Sequence, residues 1–251
     1  HSLMIKKRKN NMNIKNLLKR IIDPNHYSSE AYIQYLRNSG VHIGEKTIVY
    51  APRHTSIDIQ KPHLISIGSY CKITTGVIIL AHDYSISVAR RVFGEFIGGT
   101  APTKIGDNCF LGMNSIILPG TTIGNNCIVG AGSVVGGKYP DNVVIAGNPA
   151  RVVCTLDEYY QKRKNRWVDD AKRCALEIYH NTGRLPTIEE MKDGFYWLYA
   201  PRTQESVESH KNFFTLTGDD YEDVCKNFLA SDPVYLSFED FLKDCGIKLL
   251  H

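Results

Sequence analysis

No stretch of this chain approaches the ~18 uninterrupted apolar residues of a membrane-crossing helix, so none is expected. Seven cysteines are present, an odd number, with no Cys-x-x-Cys pair and no zinc-type spacing. They read as small buried fillers in a reducing cytoplasm. No segment joins strong basic charge to a nucleic-acid motif, so nucleic acid is not an expected partner. The net charge of +4 is uneven: residues 1–40 carry +6, residues 41–153 carry +3 and residues 154–251 carry −5. His1-Ser2-Leu3 ahead of Met4 reads as an expression remnant and is set aside. The run Lys6-Lys7-Arg8-Lys9 would suit a signal peptide. However, Lys15, Lys19 and Arg20 interrupt the apolar segment that should follow, so the expected location is cytoplasmic.

What is present is an ordinary globular composition of 251 residues, 43% hydrophobic and 22% charged, long enough for a large core. Its middle is periodic. Ile105, Leu111, Ile117, Ile123, Val129 and Val135 recur every six residues. Glycine follows five of them, as Gly106, Gly112, Gly124, Gly130 and Gly136. Four residues after each of the first five stands a small side chain: Cys109, Ser115, Thr121, Cys127 and Ser133. Upstream, Ile67, Ile73 and Ile79 keep the period, and Ile43-Gly44 lies 24 residues before Ile67, or four sixes. Residues 52–62 blur the pattern, with Lys61 where an aliphatic belongs. From Ile67 to Ile105 the phase slips by two, so residues 84–102 leave the repeat as a loop.

A period of six is neither helical nor that of a plain strand. With glycines it means short strands joined by tight bends, stacked about 4.8 Å apart, each sending one large side chain inward. Cys109 and Cys127 stand one turn of three sixes apart and should stack. A disulfide is not expected from parallel inward side chains.

The run from Ile105-Gly106-Asp107-Asn108 through Gly130-Ala131-Gly132-Ser133 to Ala146-Gly147-Asn148-Pro149-Ala150-Arg151 resembles the hexapeptide-repeat acyltransferases over residues 41–153. The nearest patterns are those of maltose, galactoside and streptogramin O-acetyltransferases and of surface-polysaccharide acetyltransferases. The resemblance implies a left-handed parallel β-helix, acetyl-CoA as co-substrate, no metal, and a homotrimer with coenzyme A in a groove between prisms.

The flanks differ. Ile14, Leu17, Leu18, Ile21 and Ile22 predict an amphipathic helix over 13–22, ended by Asp23-Pro24, within an N-terminal helical cap (4–40). A membrane-surface role for that basic helix is the less favoured reading; capping the solenoid is preferred. Residues 154–251 form a helical region. Thr187-x-x-Glu190 and Ser237-x-x-Asp240 mark helix starts there, and Gly246 a stop. This tail holds 15 of the 25 aromatic residues; such rings stack on sugars or, more often, fill a core.

His82 closes a coil just before the 84–102 loop. Position alone makes it an exposed histidine at a bend. The resemblance instead makes it the catalytic histidine. A neutral imidazole takes the proton of a hydroxyl as that hydroxyl attacks a thioester. Asp83 falls in a small inward slot, where a bare carboxylate is costly, and is read as an anchor of the loop. Asp58 is either an exposed bend residue, a ligand of acceptor hydroxyls, or the holder of a histidine. His54 falls near the position where sugar acetyltransferases carry an acceptor-binding asparagine. With Arg90 of the loop, these make the candidate acceptor set. Met113, Ala131, Gly136 and Arg151 match the family's coenzyme A positions. Lys138 substitutes for a second basic residue, whose place is taken by Cys154.

The function expected is acetyl transfer from acetyl-CoA to a sugar or polysaccharide-precursor hydroxyl, with free sugars and drugs also open as acceptors. Two alternatives stand beside it. One is a non-catalytic scaffold. The other is a carbonic-anhydrase-like prism with His54, His63 and His82 converging, although the nine histidines include no i, i+5 pair of the kind that enzyme uses. Forty residues before the repeat are too few for a nucleotidyltransferase domain, so that activity is not expected.

Overall fold

The computed structural model describes residues 21–192 and 194–247. Most of the predicted 13–22 helix therefore lies outside the described residues. The chain divides into two compact units, residues 1–159 and 160–251.

The first unit is a left-handed parallel β-helix. Its strands are mostly two residues long and alternate among three faces. The first face stacks Ile43, Ile67, Ile105, Ile123 and Tyr139 in register. The second stacks Val49, Ile73, Leu111, Val129 and Ile145. The third stacks Ile57, Ile79, Ile117 and Val135. All are buried, most of them fully. Each aliphatic among them leaves water at about 1.5–3 kcal/mol apiece, and Tyr139 closes the first column. The second face ends where Val143–Gly147 turns back antiparallel into Ala150–Thr155.

The corners explain the polar letters of the repeat. Between the first and second faces, Lys46, Tyr70, Asn108, Asn126 and Asn142 all adopt φ between 53° and 60°. Asparagine tolerates this left-handed region better than most residues. The Asn108 amide donates to Asn126 and the Asn126 amide to Asn142, each at 2.9 Å. Beside them, backbone N–H groups of Ser69, Asp107 and Asn125 donate to the side chains of Asp107, Asn125 and Asp141 at 2.7–2.8 Å. Gly106 is required here, since a Cβ would lie 2.7 Å from the Gly124 backbone. The small column contains the free thiols of Cys71, Cys109 and Cys127. Each donates to a carbonyl of the next coil, on Gly106, Gly124 and Pro140, at 3.1–3.3 Å.

Two expectations of phase are corrected. Ile43 to Ile67 is a single three-sided coil, not four hexads: its inward residues are Ile43, Val49 and Ile57, before Ile67 opens the next. The extra residues are taken up at two corners by 3-10 turns, Pro52–His54 and Pro62–Leu64. Lys61 caps the second turn and is exposed, so it never held an inward slot. The segment read as a loop, 84–102, contains a helix, Ile86–Phe93, ended by Gly94 at φ 78°.

A helix that the repeat analysis did not delimit, α1 (Ser29–Asn38), covers the first coil. Tyr32, Ile33 and Leu36 join the prism core. Ser28 caps the helix, and the Tyr32 hydroxyl donates to the Thr55 carbonyl at 3.1 Å.

The second unit is helical. After the long helix Leu156–Thr182, which enters it at residue 160, come Gln204–Ser209, Tyr221–Leu229 and Phe238–Asp244. Thr187 and Glu190 form a reciprocal capping box, but on a 3-10 turn, Ile188–Met191. Ser237 caps Phe238–Asp244, and Gly246 (φ 73°) follows it. Of the aromatic cluster, Tyr196, Tyr199, Phe214, Phe228 and Phe241 are buried core. Among the described residues, no helix is long and apolar enough to cross a membrane.

Candidate active site

The corner from the third face back to the first is where the coils differ most. Ile117 to Ile123 takes six residues and Val135 to Tyr139 four, whereas Ile79 to Ile105 takes twenty-six. The long passage is organised at its base. His82 pairs antiparallel with Thr100, and Asp83 with Gly99. The Thr103 hydroxyl donates to the Leu80 carbonyl at 2.6 Å. His82 is thus held where the chain leaves the prism and returns to it.

In the preceding coil, the Asp58 N–H donates to the Ile79 carbonyl at 2.9 Å, which places Asp58 beside the root of the excursion. Its residue exposure is 8%, so the exposed-bend reading of Asp58 is corrected. One carboxylate oxygen accepts from the Gln60 N–H at 2.8 Å. The other accepts from the Ala81 N–H at 3.1 Å and is hydrogen-bonded to His82 Nδ1. Burial pushes the Asp58 carboxyl up. The Gln60 N–H, the His82 ring and the Ala81 N–H outweigh that, leaving it below the ordinary carboxylate value. An ionised Asp58 only accepts hydrogen bonds, so Nδ1 carries the hydrogen, and in the neutral ring Nε2 presents a lone pair. No described residue hydrogen-bonds Nε2. The His82 ring packs edge-on against Tyr84, at 4.8 Å between centroids, and the Tyr84 hydroxyl donates to Gln60 at 2.6 Å. Chemically, the arrangement can accept a proton at Nε2, with the orientation and tautomer of the ring set by a buried anion.

Asp83 faces solvent and accepts from the Ser85 N–H at 2.8 Å and hydroxyl at 2.6 Å. These bonds hold its carboxyl below the usual value. It tethers the start of the excursion and takes no part in the Asp58–His82 pair. Arg90 is exposed on Ile86–Phe93, with its guanidinium 5.8 Å from the Phe96 ring centroid. His54 ends a 3-10 turn at the corner between the second and third faces, so the fold does not bring it to the corner of His82. His63 is exposed on the other 3-10 turn. Among the described residues, no three His, Cys, Asp or Glu side chains gather as a metal set.

The coenzyme candidates sit at two edges of the third face. Met113 and Ala131 stack at the corner with His54, where the Gly132 N–H donates to the Met113 carbonyl at 2.8 Å. Gly136 lies at the His82 corner, and Lys138 begins the next strand. All four are exposed. Arg151 lies on the antiparallel strand Ala150–Thr155, and its guanidinium donates to the Ala150 carbonyl at 2.7 Å. Gln60 and Tyr84 are the site residues that sequence reasoning missed. The irregular spacing between Ile57 and Ile67 was the available signal, since it places Gln60 one coil below His82.

The repeat has counterparts among known proteins. A model of the bacterial transferase hexapeptide family (six repeats) matches residues 102–137. Protein CapG of Staphylococcus aureus is 43% identical over 131 residues, which is 51% of this chain and 73% of that protein. The galactoside O-acetyltransferase of Escherichia coli K12 is 30% identical over 137 residues, 53% of this chain and 64% of that enzyme. Among solved structures, a maltose O-acetyltransferase from Clostridium difficile 630 aligns over 62% of this chain and 89% of its own, at 24% identity and a TM-score of 0.37. With its hexads stacked into a prism, the hexapeptide model on residues 102–137 and a relative 43% identical over 73% of its length, the chain belongs to the hexapeptide-repeat acyltransferases.

Proposed function

We propose that this protein transfers an acetyl group from acetyl-CoA to a hydroxyl of a sugar or polysaccharide precursor, with His82 as general base. The observation that carries the reading is the buried Asp58 carboxylate on His82 Nδ1, which leaves Nε2 to take a proton. The acceptor O–H gives its proton to Nε2 as its oxygen attacks the thioester carbon. The tetrahedral intermediate then collapses, the C–S bond breaks, and the thiolate leaves with the proton returned from the imidazolium. Such base catalysis is worth about 10²–10⁴-fold. Met113, Ala131, Gly136, Lys138 and Arg151 would line the donor's path. The small side chains there allow close approach of the pantetheine arm, and Arg151 offers a charge-assisted bond to a phosphate. Asp83 and Arg90, on the excursion that begins at His82, are assigned to the acceptor side, with Asp58 acting through His82.

The working state is a cytoplasmic homotrimer. Val88, Val92 and Phe93 of the Ile86–Phe93 helix, with Phe96 and Ile97 after it, are each more than 60% exposed in the single chain. An apolar set of that size suits a subunit interface. The relatives' names support acetyl as the group and a sugar as the acceptor.

The test is incubation with acetyl-CoA and a panel of sugars, following free thiol release, with His82→Ala as control. Thiol release on a sugar that falls by about 10²–10⁴-fold in the variant is expected. Equal rates in both proteins would overturn the role of His82, and no coenzyme A binding would favour a scaffold.

A further inference from the structure

We propose that a cleft in the helical unit binds a pyranose ring carrying a carboxylate, the chemistry of a uronic-acid residue. The proposal stands whether or not the prism transfers an acetyl group. Tyr160, Arg163, Lys164, Trp167 and Asp170 recur along Leu156–Thr182 at helical spacing, so they share one side of it. With Phe195 opposite, they enclose a cavity of about 380 Å³, within the ~300–1,000 Å³ range of small-ligand sites.

Trp167 and Phe195 are half-buried, packed against the core of the unit with part of each ring uncovered, and Tyr160 is 53% exposed. Trp167 is fixed in place, its Nε1–H donating to the Gly194 carbonyl at 3.0 Å. A rigid, half-covered indole offers a flat apolar surface at little entropic cost. That surface fits the C–H face of a pyranose ring.

The charges select among rings. Arg163 and Lys164 have no carboxylate partner among the described residues. The Lys164 ammonium lies 5.7 Å from the Tyr160 ring centroid. Asp170, the one acid of the lining, is already answered by Arg173 at 3.3 Å. With Asp170 paired to Arg173, the cations of Arg163 and Lys164 are left to an anionic ligand. The Arg163 fork matches a carboxylate, and Asp170 accepts from ring hydroxyls. A nucleotide's polyphosphate is the competing anion, and the ADP arm of the test separates the two.

The test is isothermal titration calorimetry of the full chain with trigalacturonate, maltotriose and ADP. Saturable binding of trigalacturonate is expected, weakened about tenfold or more by Trp167→Ala, a change of about 1.4 kcal/mol or more. Arg163→Gln should weaken trigalacturonate by a similar factor and leave maltotriose unchanged. Trp167→Phe keeps a ring in place and should stay within about threefold of the parent, which separates loss of the stacking surface from loss of the fold. The proposal is overturned by absence of binding, by maltotriose binding as well as trigalacturonate, by ADP binding more tightly, or by affinity that Arg163→Gln does not change.

Discussion

In the prism, each buried aliphatic is one rung of a column. Ile117 sits between Ile79 and Val135, and its neighbours above and below are set by coil length alone. In residues 160–251 the core is a knot of rings. Phe228 lies parallel to Tyr196 at 6.1 Å and edge-on to Trp197 and Phe214 at 5.1 and 4.9 Å, with the Arg202 guanidinium 4.4 Å from its centroid. The first core is built of many equivalent contacts and is solved once per coil. The second is built of a few large, directional contacts between residues far apart in sequence. A repeat therefore announces its own packing, whereas a ring cluster has no period to announce.

The two cores should respond differently to substitution, and the largest difference is in chemistry. If the reaction belongs to the prism, His82→Ala should cost about 10²–10⁴-fold in kcat/KM. Asp58→Asn, which no longer selects the Nδ1–H tautomer, should fall in the lower half of that range. Phe228→Ala should leave kcat of the folded fraction alone, as steady-state kinetics at low temperature will show. On stability the order reverses. Phe228→Ala removes a fully buried ring and should cost about 3–5 kcal/mol, read by chemical denaturation of the helical signal.

A third test uses pH. The folded pKa of Asp58 lies below its ordinary value, so its contribution to stability is complete above about pH 5 and is lost as pH falls through the folded value. Asp58→Asn should flatten that acid limb of the melting curve, measured from pH 6 to pH 3. A smaller effect, about 0.5–1.5 kcal/mol, is expected for Ile117→Val, which takes one methylene from one rung. The smallest probe is Thr187→Ala, which removes the capping box on Ile188–Met191. It should cost roughly 1 kcal/mol, confined to the helical unit and visible in its melting temperature.

Much of the prism was legible because Ile105 to Val135 repeat with no break, so inward positions, corners and stacking partners follow from counting. Counting failed where coil length changes. The 8- and 10-residue spacings about Ile57 moved Lys61 out of the wall and put His54 at a different corner from His82. The same irregularity hid Gln60 and the burial of Asp58. Thr187 and Ser237 were readable as caps because a cap is a local hydrogen bond. That one of them begins a 3-10 turn was not, since that depends on what packs behind it.

The six-residue period, and with it a wall of short parallel strands, is written in residue order, because each hexad carries its own inward aliphatic, its own small residue and its own bend. The meeting of Asp58 with His82 comes from the stacking of coils. The two are 24 residues apart along the chain and are neighbours only because consecutive coils hydrogen-bond at the same corner. Tertiary packing also decides which aromatic residues of the second unit are core and which line a cleft. Ring burial depends on three-dimensional crowding, and nothing in the local order of the chain records that.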